Sequence, residues 1–414
     1  MAGIYQHIAG GVTAPLGFRS SAVACGIKKP GAPKLDLAVI ATDLPSVTTG
    51  VFTTNRIKAA PVRVCQNHLR SNDIRAVIAN SGNANCCTGA QGICDAKAMC
   101  ATTAEGLGIR DRQVLVASTG IIGKPMPMDR ILPRIPEVIG SLSEKGGPAF
   151  AEAIMTSDTR PKCDAIEVKV GTKIIRIGAA AKGAGMICPH MATMLCFITT
   201  DARIGKAELD RAMREAVDLS FNRISVDGDM STNDSVIVMA NGAAGGNRLK
   251  NGSRAAREFR EALAWLMLRM AKLIVRDGER VTKYVEVAVR GARTHEAAKK
   301  VARAVATSTL VKCAWNGSDP NWGRIIHAIG YSGVAIREET IDIYFDGLVA
   351  AKGGVAAETP LEELLKVAAN PAFTVTIDLH QGDEEYRVYT SDLSPEYADF
   401  NREEYSALKN TAKK

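Results

Sequence analysis

Lys182-Gly-Ala-Gly-Met-Ile-Cys-Pro-His-Met-Ala-Thr-Met-Leu-Cys-Phe-Ile-Thr-Thr-Asp201 decides how this 414-residue chain is read. Its glycines at 183 and 185 permit tight turning and close backbone approach. Pro189 fixes the chain shortly before Thr193, and Met194 to Ile198 is an apolar, strand-like run. Thr193 stands between them, directly after the small residue Ala192. A hydroxyl there can attack its own preceding peptide bond, then serve as a nucleophile whose new α-amine is its base. Taken alone, the stretch reads first as a Gly-rich turn into a buried strand, with Thr193 simply a β-branched residue in it. The other segments of the chain decide between the two.

Composition narrows the function classes. Hydrophobic residues are 46% and charged residues 23%, near the globular average, so one or two domains with a real core are expected. The net charge of +8 suits nucleic acid, a membrane surface or small acidic substrates. The Lys and Arg are scattered, however, and aromatics at 5% are too few for base stacking, which argues against nucleic acid and for a small anionic metabolite. No apolar run reaches the ~18 residues of a membrane span. No signal peptide is expected, and the ten cysteines show no CxxC pair, so free thiols in a reducing cytoplasm are the expectation. No metal or cofactor is expected either. The six histidines lack ligand spacing, and there is no P-loop, HExxH or GxSxG. Val226-Asp-Gly-Asp-Met-Ser-Thr-Asn-Asp234 fails the EF-hand pattern, with Thr232 at position six and Val238 at position twelve.

Short apolar runs at Leu35–Ala41, Ala76–Ala79, Val114–Ala117, Ala165–Val170 and Lys173–Ile177 predict strands. Lys206–Leu219 and Ser253–Val275 predict helices, the second capped by Ser253 and ended by Asp277-Gly278. Beyond Gly278 the pattern predicts strands at Tyr284–Val289, Ile341–Phe345 and Phe373–Leu379 and helices at Thr294–Thr307 and Pro360–Ala368. The expected division is 1–280 and 281–414. The polar tail from Ser394 carries Tyr397, Phe400 and Tyr405, which predicts docking.

Three further segments bear on chemistry. Ala117-Ser-Thr-Gly-Ile-Ile-Gly123 reads as a strand ending in a Thr-Gly turn, exposing a hydroxyl and an amide that can hold a developing oxyanion. Asn80-Ser-Gly-Asn-Ala-Asn-Cys-Cys-Thr-Gly89 is dense in donors and fits a polar pocket or an Asx-turn loop. Asp319-Pro-Asn-Trp-Gly-Arg324 reads as a polar turn with an Arg suited to a carboxylate, or as a plain surface turn.

Together with Gly50-Val-Phe-Thr-Thr-Asn-Arg56 and Thr156-Ser-Asp-Thr159, these segments in this order resemble the ornithine acetyltransferase family, also called glutamate N-acetyltransferase, of arginine biosynthesis. The resemblance spans nearly the whole chain. It implies an α+β fold: an αββα sandwich similar to β-aminopeptidases, then a smaller α/β domain whose tail returns to the active site. It implies self-cleavage between Ala192 and Thr193, with the fragments held in a heterotetramer. Thr193 is then the nucleophile, Thr119 and Gly120 the oxyanion hole, and Thr156, Lys182, Thr193, Glu279, Asn401 and Ser406 the substrate contacts. The implied reaction is ping-pong transfer of acetyl from N-acetylornithine to glutamate. Use of acetyl-CoA as a further donor is left open by the sequence, and the rival reading is an amidohydrolase or aminopeptidase on the same scaffold. The chain departs from the family pattern at Arg280-Val281, where Gly-Ala is usual, at Cys188 and Cys196 beside the nucleophile, and in the eight residues after Ser406.

Overall fold

The structure, a computed structural model, describes residues 5–71, 73–188 and 194–402. Contacts divide it into two compact units, Met1–Asn222 with Asp229–Ile274, and Arg223–Gly228 with Val275–Lys414.

The first unit contains β1 (Gln6–Ile8), β2 (Phe18–Val23), β3 (Leu37–Thr42), β4 (Val47–Phe52), α1 (Ala60–His68), β5 (Ala76–Asn83), α2 (Gly89–Leu107), β6 (Val114–Ile121), α3 (Met128–Ile131), α4 (Ile135–Gly140), α5 (Gly147–Ala153), β7 (Lys162–Val170), β8 (Lys173–Lys182), β9 (Leu195–Thr200), α6 (Lys206–Leu219) and β10 (Ser235–Ala240). Then α7 (Arg254–Arg276) follows. One sheet runs β2-β3-β5-β6 and the other β1-β7-β8-β9-β10-β4. Among the described strands of these two sheets, β5–β6 and β9–β10 pair in parallel.

The reason for two stacked sheets is legible in the strands. β3, β9 and β10 are buried along their whole length, which requires cover on both faces. Val39, Ile78 and Val116 of one sheet share a single core with Leu195, Phe197, Ile237 and Met239 of the other. Phe150 of α5 meets Phe197 edge-on at 5.1 Å within it. Side chains alternate along a strand, so Cys196, Ile198, Val236 and Val238, also buried, face the other way. Val64 of α1, Met99 of α2 and Val138 of α4 extend the core over the four-stranded sheet. On the far side α6 packs against β4 and is tied to α7 by Arg260–Glu208 at 3.3 Å. α7 also reaches the β7–β8 turn, where Glu258 accepts the Gly171 amide at 2.8 Å, and β7, where Arg269 meets Asp164. The layers are helix, sheet, sheet, helix: the α+β, αββα arrangement.

α6 has the expected bounds, with Leu209, Ala212, Met213, Ala216 and Val217 on its buried face. Ser253 caps α7, its Oγ accepting the Ala256 amide at 3.1 Å. The strands run further than expected. β5 continues to Asn83 and β6 to Ile121, because polar residues in the extensions keep pairing rather than ending the ladder, and β8 runs on through Gly178 and three alanines to Lys182, paired with β7.

The second unit holds β11 (Tyr284–Ala292), α8 (His295–Thr307), α9 (Thr309–Asn316), α10 (Trp322–Gly330), β12 (Asp342–Phe345), β13 (Leu348–Lys352), β14 (Val355–Ala356), α11 (Leu361–Ala369), β15 (Ala372–Asp378) and β16 (Glu384–Ser391). Its sheet runs β14-β13-β12-β15-β11-β16, with Val285, Val287 and Val375 packed against Val301, Val305, Trp315 and Ile325. Ser225 joins it by donating its amide to Tyr389 O at 3.0 Å, which explains why residues 223–228 group here. Thr294 caps α8 as expected. The Asp319–Arg324 turn is instead a helix start: Asn321 accepts the Arg324 amide at 3.1 Å, and Arg324 Nη1 donates to Leu310 O at 2.9 Å, so this guanidinium braces α9. Residues 395–402 are helical, with Tyr397 Oη donating to Asp227 at 3.2 Å and Phe400 under the Arg280 guanidinium at 5.1 Å. Tyr405 lies outside the described residues.

Among the described residues no helix is long and apolar enough to cross a membrane, and no cluster of three or more His, Cys, Asp or Glu could hold a metal ion.

Candidate active site

The parallel strands β5 and β6 end side by side, and their polar C-terminal residues bond to one another. Ser118 Oγ donates to Asn80 Oδ1 at 2.6 Å, and Asn80 Nδ2 to Asn83 O at 3.0 Å. Asn83 Oδ1 then takes the Asn85 amide at 2.8 Å, an Asx turn at the start of the following loop. From the other sheet, Asn233 Nδ2 donates to Ala84 O at 2.6 Å and Ser118 O at 2.8 Å, clamping both strand ends. Gly120 is required here. Its φ is +131, and a Cβ would stand 2.3 Å from the Gly82 carbonyl carbon. The Thr119-Gly120 pair therefore sits in strand rather than in a terminating turn, kinked by a register shift at Gly82/Asn83.

Lys182, the last residue of β8, reaches this point. Its Nζ donates to Thr156 Oγ1 at 2.6 Å and to Thr119 Oγ1 at 3.3 Å, and lies 3.9 Å from Asp158. Because Lys182 donates, each threonine keeps its own hydroxyl proton available to give. Asp158 also binds Lys162 Nζ at 2.6 Å, the Gly183 amide at 2.7 Å and the Thr156 amide at 3.0 Å. Burial alone would raise the Asp158 carboxyl, but the charges of Lys182 and then Lys162, with the Gly183 amide, outweigh it and hold the group at about 2. Two buried lysines face one buried carboxylate, which favours further negative charge, either a substrate carboxylate or a developing oxyanion.

β9 begins at this same end. Asp234 Oδ1 accepts the Met194 amide at 2.9 Å, and the Ser235 amide donates to Met194 O at 3.1 Å. Cys196 is fully buried and its thiol pushed far above the usual range by burial, so it is inert.

Of the residues expected at the site, Thr119, Gly120, Thr156 and Lys182 belong to this constellation of the first unit. Glu279, half-buried in the turn after α7, and Asn401, exposed, with its Nδ2 on Tyr397 O at 2.8 Å, belong to the second unit. Ala192, Thr193 and Ser406 lie outside the described residues. Sequence reasoning missed Asp158, Lys162, Asn233 and Asp234. Lys162 and Asp158 are four apart, a spacing that hints at pairing, but nothing local announces that both are buried. A cavity of about 450 Å³ lined by Thr49, Phe52, Gln66, Lys206, Asp210 and Arg214 contains none of these residues.

Arg280 adopts φ +55, the left-handed region that favours glycine. Its guanidinium is turned onto Phe400, and its carbonyl accepts from Ser394 Oγ at 2.7 Å.

Several known proteins are similar to this chain. The arginine biosynthesis bifunctional protein ArgJ of Geobacter sulfurreducens is 50% identical over 386 residues, covering 93% of this chain and 98% of that protein. The glutamate N-acetyltransferase of Methanocaldococcus jannaschii is 44% identical over 408 residues, covering 96% and 98%. Among solved structures, ornithine acetyltransferase of Mycobacterium tuberculosis complexed with ornithine is 38% identical, covering 45% of this chain and 98% of that one, with a TM-score of 0.41. With residues 19–406 matching throughout, the chain belongs to the ArgJ family.

Proposed function

We propose that this protein is a self-processing acetyltransferase of arginine biosynthesis, moving acetyl from N-acetylornithine to glutamate through an acyl-threonine. Family membership supplies the activity: the relatives are named ArgJ and glutamate N-acetyltransferase. The observation that carries the mechanistic reading is the Lys182 bridge, which gathers the Thr119 and Thr156 hydroxyls against a buried carboxylate.

In this reading the chain cuts itself between Ala192 and Thr193. Thr193 Oγ attacks the acetyl carbonyl of N-acetylornithine while the freed Thr193 amine takes the hydroxyl proton. The oxyanion is met by the Thr119 hydroxyl and the Gly120 amide. The C–N bond breaks, the amine returns its proton to the leaving nitrogen, and ornithine departs. The glutamate amine attacks the ester and regenerates Thr193. Lys182 and Thr156 bind the substrate's charged end; Glu279, Asn401 and Ser406 remain further substrate contacts implied by the family resemblance. Acetyl-CoA enters the scheme as an alternative donor to the same threonine.

Strand order supports fragments that stay together. In the sequence β8-β9-β10-β4, the two inner strands come from 193–414 and the two outer ones from 1–192. Each junction carries six paired residues. Two copies of each fragment then form the proposed heterotetramer in the cytoplasm.

Intact-mass measurement tests the whole scheme. Incubation with N-acetylornithine alone should add one acetyl group to the C-terminal fragment, and glutamate should remove it. Acetyl release that ignores glutamate would assign a hydrolase instead. A single 44.0 kDa species that remains active would refute processing.

A further inference from the structure

The run Asn80 to Gly89 holds two adjacent cysteines that the scheme above does not use. Cys86 is buried, Cys87 is exposed, and their sulfurs stand 3.8 Å apart. The backbone that brings them together is under constraint. Asn85 and Cys87 both sit in the left-handed region, at φ +46 and +57, which a β-carbon disfavours. Three hydrogen bonds lock Asn85 there: its amide on Asn83 Oδ1 at 2.8 Å, its Nδ2 on Gly92 O at 2.8 Å, and the Thr88 hydroxyl on its Oδ1 at 2.7 Å. In an extended chain the side chains of consecutive residues diverge, whereas this loop turns two thiols together.

The pair is stitched to the strand end assigned above to the oxyanion. Cys86 O accepts the Gly123 amide at 2.9 Å, and the Ala84 amide donates to Ile121 O at 3.0 Å, both just past Gly120. Thr232 neighbours the Cys86 thiol and gives its own hydroxyl proton to Asn233 Oδ1 at 2.6 Å. Asn233 in turn donates to Ala84 O at 2.6 Å and, directly before Thr119, to Ser118 O at 2.8 Å. Thr119-Gly120 therefore lies between two ties that both lead to Cys86.

We propose that Cys86 and Cys87 form a reversible oxidation site, closed to a vicinal disulfide by a low-molecular-weight disulfide, and that closure displaces Thr119-Gly120 and slows acetyl transfer. The effect on rate rests on the oxyanion reading above; the site does not. The accessible Cys87 thiolate attacks one sulfur of R–S–S–R, whose S–S bond breaks, and the leaving thiolate takes a proton to become R–SH. Cys86 then gives up its proton and attacks Cys87 Sγ, expelling the second R–SH. The two thiols lose two electrons and two protons, and R–S–S–R becomes two R–SH. Burial raises the Cys86 thiol, with Thr232 opposing in part, so Cys86 reacts second. From 3.8 Å the sulfurs must approach by about 1.8 Å, which draws Cys86 from Thr232 and loads both ties. Adjacent α-carbons lie about 3.8 Å apart, closer than the roughly 4.4–6.8 Å of ordinary disulfides, so the ring is strained and thiols reopen it.

The test treats the full chain carrying Cys94→Ser with glutathione disulfide. The substitution, at an exposed position, leaves Cys86 and Cys87 as the two cysteines of tryptic peptide 76–97. That peptide should lose two hydrogens without gaining glutathione. The kcat for acetyl transfer should fall about tenfold with KM within about threefold, and dithiothreitol should restore both mass and rate. Adding Cys87→Ser should leave the basal rate unchanged and make it indifferent to glutathione disulfide. Adding Cys86→Ala should instead leave one glutathione held on Cys87. A peptide that stays reduced, or that keeps glutathione while Cys86 is present, overturns the site. A closed disulfide with unchanged kcat overturns its hold on Thr119-Gly120, as does a Cys87→Ser protein that still loses its rate to the oxidant. If the untreated protein shows no acetyl transfer, the oxyanion reading fails separately, and the peptide masses still decide whether the site exists.

Discussion

Replacing Asp158 by Asn tests whether the buried Lys162–Asp158–Lys182 cluster is held by charge. The carboxylate is fully buried, and the lysine side chains are 1% and 4% exposed. Its pKa of about 2 lies just under two units below the ordinary 3.8, worth about 2 kcal/mol of native-state stability. The sign follows from the depression. The contribution is fully present above pH ~4 and is lost as the pH falls through ~2. At neutral pH the Asn variant leaves two buried ammonium groups facing a neutral amide, and stability should fall by about 3 kcal/mol. Urea unfolding followed through Trp265, which packs on Tyr5 at 5.2 Å in the same unit, reads both effects. Wild-type stability should drop about 2 kcal/mol more than the variant's between pH ~4 and ~2. A loss under about 1 kcal/mol at pH 7, or parallel acid slopes for the two proteins, would show that the cluster is not held by charge. Acetyl transfer should fall with stability, because Lys182 loses the group that aims it at Thr119 and Thr156.

Three other outcomes follow from the geometry. Thr119→Ala should lower kcat about 100-fold with KM little changed, and Thr119→Ser should recover most of it; equal losses in the two would mean that the hydroxyl is not the active feature. Gly120→Ala places a Cβ 2.3 Å from Gly82 backbone at φ +131 and should destabilise by more than about 3 kcal/mol or abolish soluble expression, and a normal melting temperature would contradict the described strand contact. Arg280→Gly relieves a left-handed residue at φ +55 but removes the contact with Phe400, for a net gain of about 0.5 kcal/mol in thermal unfolding; a lower melting temperature would show that the ring contact outweighs the backbone strain.

The sequence announced elements whose stability is local or periodic. α6 and the Thr294 cap show their pattern within one or two turns, and the apolar runs of β3 and β9 read as strands, whereas β10 was not read from the sequence. Strand ends were misjudged where polar side chains continue the ladder, as at Asn80–Asn83 and Ser118–Thr119, since composition there signals a turn. α10 was hidden because its capping Asn321 sits in a Pro-, Asn- and Gly-bearing stretch that also fits a plain turn. At the site, residues visible to sequence were hydroxyls and glycines in characteristic runs. Asp158 and Asp234 were not, because a carboxylate's importance depends on burial, and burial is decided by chain segments 25 and 40 residues away.

The interleaving of β9 and β10 between β8 and β4 has a consequence for manufacture of the enzyme. A polypeptide consisting of 193–414 alone would expose both edges of a two-strand ribbon whose every residue is built for a dry interior, an invitation to sticking between copies. The gap left in 1–192 would be just as ill-served. The order of events is therefore imposed by topology. Under the proposed processing, the intact chain must thread itself first and break afterwards, so attempts to reconstitute the enzyme from separately produced halves should yield precipitate.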